Sequence, residues 1–137
     1  MRTRFVFVMA MATTLVSPAA HAEDWRFLSK TSDDHPAEIF IDMSSIVLKD
    51  NIRSAQTKNV ALLPWHDGTR RFNGAAYGIQ RVSFNCNAAL VQVGGPELHP
   101  VDGRIVAFLN VEQSWKPVDD SLTKKMFDLV CAWKPTT

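Results

Sequence analysis

Cys86 and Cys131 are the two cysteines of the sequence, and their thiols have three chemistries open to them. They can pair with each other, stay free, or join histidines around a metal. The histidines that could join them, His35, His66 and His99, are widely separated and lack the short spacing that sets two ligands on one helix face. Each also adjoins a turn signal: His35 precedes Pro36, His66 adjoins Asp67-Gly68 and His99 precedes Pro100. Loop positions are therefore expected for all three, and no metal site or cofactor is assigned. His66 would reach a haem or metal only if folding brought Tyr77 or another histidine to it.

Nucleophilic chemistry has less to work with. There is no Gly-x-Ser-x-Gly elbow and no carboxylate pair at a telling interval. The run Asp42-Met43-Ser44-Ser45 reads as a hydrogen-bonded turn closing a strand, so no catalytic residue is assigned and no enzyme is expected. A different cluster, Trp65, Arg70, Arg71 and Phe72, joins residue types that dominate binding hot spots and is the candidate partner-binding surface. The competing reading has Trp65 covering one edge of a sheet. Trp25, Trp115 and Trp133 are expected in the core or between sheet and helix.

What the cysteines do depends on the compartment, and the first residues address that. Arg2 and Arg4 precede an apolar run, Phe5 to Val16, and small residues close on Ala20-His21-Ala22. That is the pattern of a cleaved secretory leader, residues 1–22, and its core falls short of the roughly 20 apolar residues of a membrane span. The mature chain, 23–137, suits a single domain. In an oxidising compartment a Cys86–Cys131 disulfide is the leading expectation, closing a loop of 45 residues and removing about 4 kcal/mol of unfolded-state entropy. Two free thiols, or thiols joined to histidines, are the weaker alternatives. The formal charge is +1 and becomes −1 when Arg2 and Arg4 leave, so no nucleic-acid partner is implied.

The elements that must position these residues follow from hydrophobic period. Strands are expected at Trp25–Leu28, Glu38–Ile41, Ile46–Leu48, Ile52–Leu63, Ala75–Cys86, Ala89–Val93 and Arg104–Glu112. Turns are expected at 31–36, 42–45, 50–51 and 100–103, with a hairpin or long loop over 64–74. Leu122, Met126, Leu129, Val130 and Trp133 recur at helical intervals behind the capping candidates Asp119, Asp120 and Ser121, predicting a helix that carries Cys131 in its last turn. The fold class is α+β: an antiparallel sheet of about six strands with one C-terminal helix packed on it.

In this order the mature chain resembles the surface-adhesin protein E family of exported proteobacterial proteins. The matching pieces are Trp25, the stretch Phe40 to Ile46, Val82-Ser83-Phe84-Asn85-Cys86, Asp102 to Val106, Trp115-Lys116-Pro117-Val118 and a helix ending in Leu129-Val130-Cys131. The resemblance implies the same sheet-and-helix fold with a Cys86–Cys131 bridge. It also implies a non-enzymatic binding domain for extracellular host proteins such as vitronectin and laminin, with haem a further ligand attributed to the founding adhesin. That adhesin is a lipoprotein, whereas the leader here has no cysteine at its cut; a periplasmic or secreted protein is expected. The reading is thus an exported domain binding a host or envelope protein. The alternatives are a periplasmic carrier of a haem-type ligand, or an envelope structural protein without a ligand. Intact mass of the exported protein should correspond to a chain starting at Glu23, and recovery of the leader on the exported protein would reject the cleavage.

Overall fold

The computed structural model describes residues 22–65, 75–100 and 107–135. In chain order the elements are β1 (Trp25–Lys30), β2 (Ala37–Lys49), β3 (Ile52–Trp65), β4 (Ala75–Asn85), β5 (Leu90–Val93), β6 (Glu97–His99), β7 (Ala107–Phe108), β8 (Lys116–Pro117) and α1 (Ser121–Ala132). All form one antiparallel sheet with the helix behind it. Six strands follow the path β1-β2-β3-β4-β5-β8, while β6 pairs with β4 and β7 with β6. The layout matches the expectation of an antiparallel sheet plus one C-terminal helix, with sheet far outweighing helix.

Alternation on the long strands produces the core. Ile39 and Ile41 of β2, Ala55 and Thr57 of β3, and Val82 and Phe84 of β4 turn to one face and are buried there, as a period of two requires. Leu28, Met43, Ile46 and Val91 join them, and α1 adds buried Val130. Around Val130 the half-buried Leu122, Met126, Phe127, Leu129 and Trp133 pack on the same cluster, with Phe127 meeting Phe84 edge-to-face at 5.8 Å. Burying such side chains contributes about 1.5–3 kcal/mol each.

Four devices fix the helix. Asp120 is its N-cap, accepting from the Thr123 amide at 2.8 Å and from the Thr123 hydroxyl; these hydrogen bonds hold the Asp120 carboxyl below the usual carboxylate range. Lys125 donates from the middle of the helix to the carbonyl of Leu28. At the other end the Arg53 guanidinium donates to the carbonyls of Val130 and Trp133, groups that a helix C-terminus leaves without intrahelical donors. Beside it Cys86, directly after β4, is bonded to Cys131 with Cα atoms 5.8 Å apart.

The structure corrects several sequence expectations. The chain does not break at Asp42–Ser45: β2 runs through it as a bulge, five residue steps from Asp42 to Val47 standing against two from Gln56 to Ser54. The extra residues let both Met43 and Ile46 point into the core, which strict alternation forbids. Two short strands, β6 and β8, lie where none was expected. Of the strand expected over Arg104–Glu112, residues 104–106 lie outside the described residues, Ala107–Phe108 is strand, and the pairing stops at Phe108, opposite Glu97 where β6 begins. Just beyond, the chain crosses Gly95 so closely that a Cβ there would stand 1.9 Å from the Leu109 carbonyl oxygen. Trp115 is 40 % exposed and Trp25 lies on the face opposite the helix; only Trp133 occupies the expected sheet-to-helix position. The turn expected at Pro100–Gly103 lies, beyond Pro100, outside the described residues.

Replacing both Cys86 and Cys131 with alanine should lower stability by about 2–5 kcal/mol, read as a drop in denaturation midpoint that reductant reproduces in the unaltered protein. A midpoint unmoved by either change would remove the bond from the stability of the fold.

Candidate binding surfaces

Of the residues singled out around Trp65, Trp65 itself ends β3. β3 pairs with β2 only as far as Ala61 opposite Ala37, and a single further bond, from the Leu62 amide to the Pro36 carbonyl, prolongs that contact. β3 nevertheless continues to Trp65, which pairs with Ala75 of β4. The two strands therefore outrun their neighbours as a bulged ribbon, five residue steps from Val60 to Trp65 standing against two from Tyr77 to Ala75, with Leu62 and Leu63 inside the bulge. Leu62 and Leu63 on this ribbon are 39 % and 61 % exposed, unusual for leucines in a strand. Trp65 ends the described part of the arm; Arg70, Arg71 and Phe72 lie outside the described residues, as does His66. The hairpin or long loop expected over 64–74 lies, between Trp65 and Ala75, outside the described residues.

A second surface escaped sequence reasoning. The sheet face away from α1 carries transverse rows of side chains, aligned by register. One row runs Phe27, Phe40, Lys58, Ile79, Glu97, Phe108 across six strands. A neighbouring row runs Glu38, Val60, Tyr77, His99, and another runs Trp25, Asp42, Gln56, Arg81. Phe27 and Phe108, at the two ends of the first row, are 57 % and 58 % exposed. Phe27 meets Phe40 edge-to-face at 5.7 Å, and the Lys58 ammonium sits 4.3 Å from the centroid of the Trp25 ring, a cation–π distance. The Trp25 indole donates to Glu23 at 2.7 Å. The alternation of Trp25 and Phe27 was legible, but nothing local says which face the helix will cover.

His99 ends β6 instead of lying in a loop. It is buried, stacked on Tyr77 with ring centroids 4.8 Å apart, and its Nε2 is 3.4 Å from a Glu97 carboxylate oxygen. Burial follows from the register, which sets His99 directly opposite Tyr77. His35 does occupy a bend, its amide donating to Asp33. Among the described residues, no three His, Cys, Asp or Glu side chains are grouped to hold a metal ion. A recess of about 230 Å³ between Gln80, Val91, Val93, Glu112 and Lys116 is smaller than the clefts of about 300–1,000 Å³ that enclose small-molecule ligands.

The Asp42-Ser44-Ser45 run is structural. Buried Asp42 accepts from the amides of Asp24 and Ser44, both at 2.9 Å, and from the Ser44 hydroxyl at 2.6 Å. Ser45 donates to the Asp42 carbonyl and accepts from the Gln56 amide, both at 2.7 Å, which ties the bulge to β3. Burial opposes ionisation of Asp42, but the Ser44 hydroxyl, the Asp24 amide and the Ser44 and Ser45 backbone outweigh it and hold the carboxyl below its usual range. The hydrogen-bonding role expected of this run is present, within a strand and not at its end.

Comparison with protein-family models, with curated proteins and with solved structures finds no match to this chain.

Because the folded pKa of Asp42 is depressed, its contribution is fully present above the unfolded carboxylate value of about 3.9 and is lost as pH falls through the lower folded value. Asp42→Asn should therefore destabilise by about 1–3 kcal/mol at neutral pH, with the gap to the unaltered protein narrowing below about pH 4. Urea midpoints measured across that range test this, and a gap independent of pH would assign the loss to something other than the charge.

Proposed function

We propose that this chain is an exported, non-catalytic binding domain of the cell envelope, acting in the periplasm or outside the cell, whose β3–β4 arm engages a host or envelope protein. The supporting observation is the arm itself. A ribbon that outruns its sheet and exposes Leu62 and Leu63 has apolar surface available where a partner can desolvate it, and it leads into Trp65, Arg70, Arg71 and Phe72. Tryptophan and arginine at the centre of a desolvated patch carry most of the energy in many interfaces.

The secretory pattern of residues 1–22 and the Cys86–Cys131 bond fit the same reading, since a disulfide holds a small domain together where chaperones and reductants are scarce. The resemblance to surface-adhesin protein E, resting on its motifs, supplies the first partners to try. Within that resemblance the α+β fold acts as a rigid mount and the segment joining β3 to β4 as the variable contact.

The mature protein should be retained on immobilised vitronectin or laminin, and the double change Leu63→Ala with Trp65→Ala should weaken retention by at least about tenfold while leaving the thermal midpoint nearly unchanged. Equal retention of the variant would reject the arm. Failure of the unaltered protein to bind either surface would reject the extracellular-matrix partner.

A further inference from the structure

The face opposite α1 carries its own indication of what covers it. Read across the strands, the row Phe40, Lys58, Ile79, Glu97, Phe108, which Phe27 prolongs at one end, is the same from either end once the sign of the charge is exchanged. Its centre is Ile79 on β4. We propose that this face packs on the same face of a second copy, about a two-fold axis that passes over Ile79 and lies about 15° from the direction of β4, half the crossing angle of packed sheets.

Such an axis reverses the order of the strands while keeping their direction. Lys58 then stands opposite Glu97 of the second copy, and Glu97 opposite Lys58 of the second copy. Phe40 and Phe108 meet in the same reciprocal way, and Ile79 meets its own counterpart. In the neighbouring row Tyr77 faces Tyr77 of the second copy. An isologous interface requires this self-complementarity, each contact occurring twice. The other face-to-face two-fold, with its axis across the strands, would set Lys58 on Lys58 and Glu97 on Glu97, and is disfavoured.

The chemistry of the row suits a sheet-on-sheet contact. Two antiparallel sheets pack about 10 Å apart with their strands crossing at about 30°, a gap that side chains of this size fill. Phe108 is 58 % exposed and the Glu97 side chain 42 %, so each has surface to lose. The one like-charge meeting is Arg81 with Arg81, in the row beyond Lys58 and Ile79. Arg81 is exposed, and a long side chain of this kind can turn its charged end to water while its stem stays in the contact. The same axis would leave both β3–β4 arms projecting from one end of the dimer; that consequence rests on the arm being the binding element, whereas the dimer does not.

Sedimentation of the mature protein over a range of concentrations tests this, with Lys58→Glu, Glu97→Lys and the double exchange beside it. The unaltered protein should dimerise, and each single exchange should weaken the dimer by at least about tenfold. An equimolar mixture of the two single variants should recover dimers, because Lys58 and the introduced lysine then face Glu97 and the introduced glutamate across the interface. The double exchange should recover them alone. Recovery on mixing also shows that each variant is folded. A monomer at every concentration, single variants as dimeric as the unaltered protein, or a mixture that stays monomeric would each overturn the proposal. Retention on vitronectin and laminin, followed in parallel, speaks to the arm alone.

Discussion

The attachment of α1 to the sheet is the interaction on which the rest of this structure depends. Every buried apolar side chain of the central strands points toward one face, and a 12-residue helix is the layer that covers it. A helix of that length is marginal by itself in water. Its stability therefore comes from what holds it down: the Cys86–Cys131 bond, the Arg53 guanidinium on its last carbonyls, Lys125 on the Leu28 carbonyl and the Asp120 cap. The disulfide and Arg53 act at the same end, beside Val130 and Phe84, so the covalent and polar restraints converge where packing is tightest.

A sheet covered on one face only must resolve its other face differently. Here that face is neither uniformly polar nor uniformly apolar. Lys58, Glu97, Arg81 and Glu38 are interleaved with Trp25, Phe27, Phe40, Tyr77, Ile79 and Phe108, and the Lys58 ammonium rests over Trp25. Charged groups of both signs keep such a surface compatible with water while its aromatics remain available for contact. The arm formed by β3 and β4 is a separate feature, because its pairing of Trp65 with Ala75 lies beyond the pairing of β3 with β2 and of β4 with β6.

Irregularities in the strands are tied to named backbone bonds. The β2 bulge is held by Asp42, Ser44 and Ser45 and sends both Met43 and Ile46, three residues apart, inward. The step from β5 to β6 passes through Gly94, whose amide donates to the Arg81 carbonyl at 2.8 Å, and Gly95, where the Leu109 carbonyl leaves no room for a side chain. With those two glycines β5 and β6 share the same edge of β4, so one edge is sealed by two short strands.

The amino-acid sequence by itself determined the elements whose signal is local. Alternation marked β1, most of β3 and β4, and β5. Helical spacing behind Asp120 marked α1, and two cysteines behind a secretory leader pointed to their pairing. What it could not determine was anything requiring a comparison between distant segments. Whether Asp42–Ser45 would end a strand or bulge within it depended on Gln56 lying opposite. Whether Trp25 would join the core depended on which face the helix took, and whether His99 would be a loop residue depended on its pairing with Tyr77. The transverse row through Lys58, Ile79 and Glu97 draws on three separate strands, and only register brings their residues into line. Period is a property of neighbours along the chain, whereas face and register are properties of neighbours across the sheet, and those are set by tertiary packing.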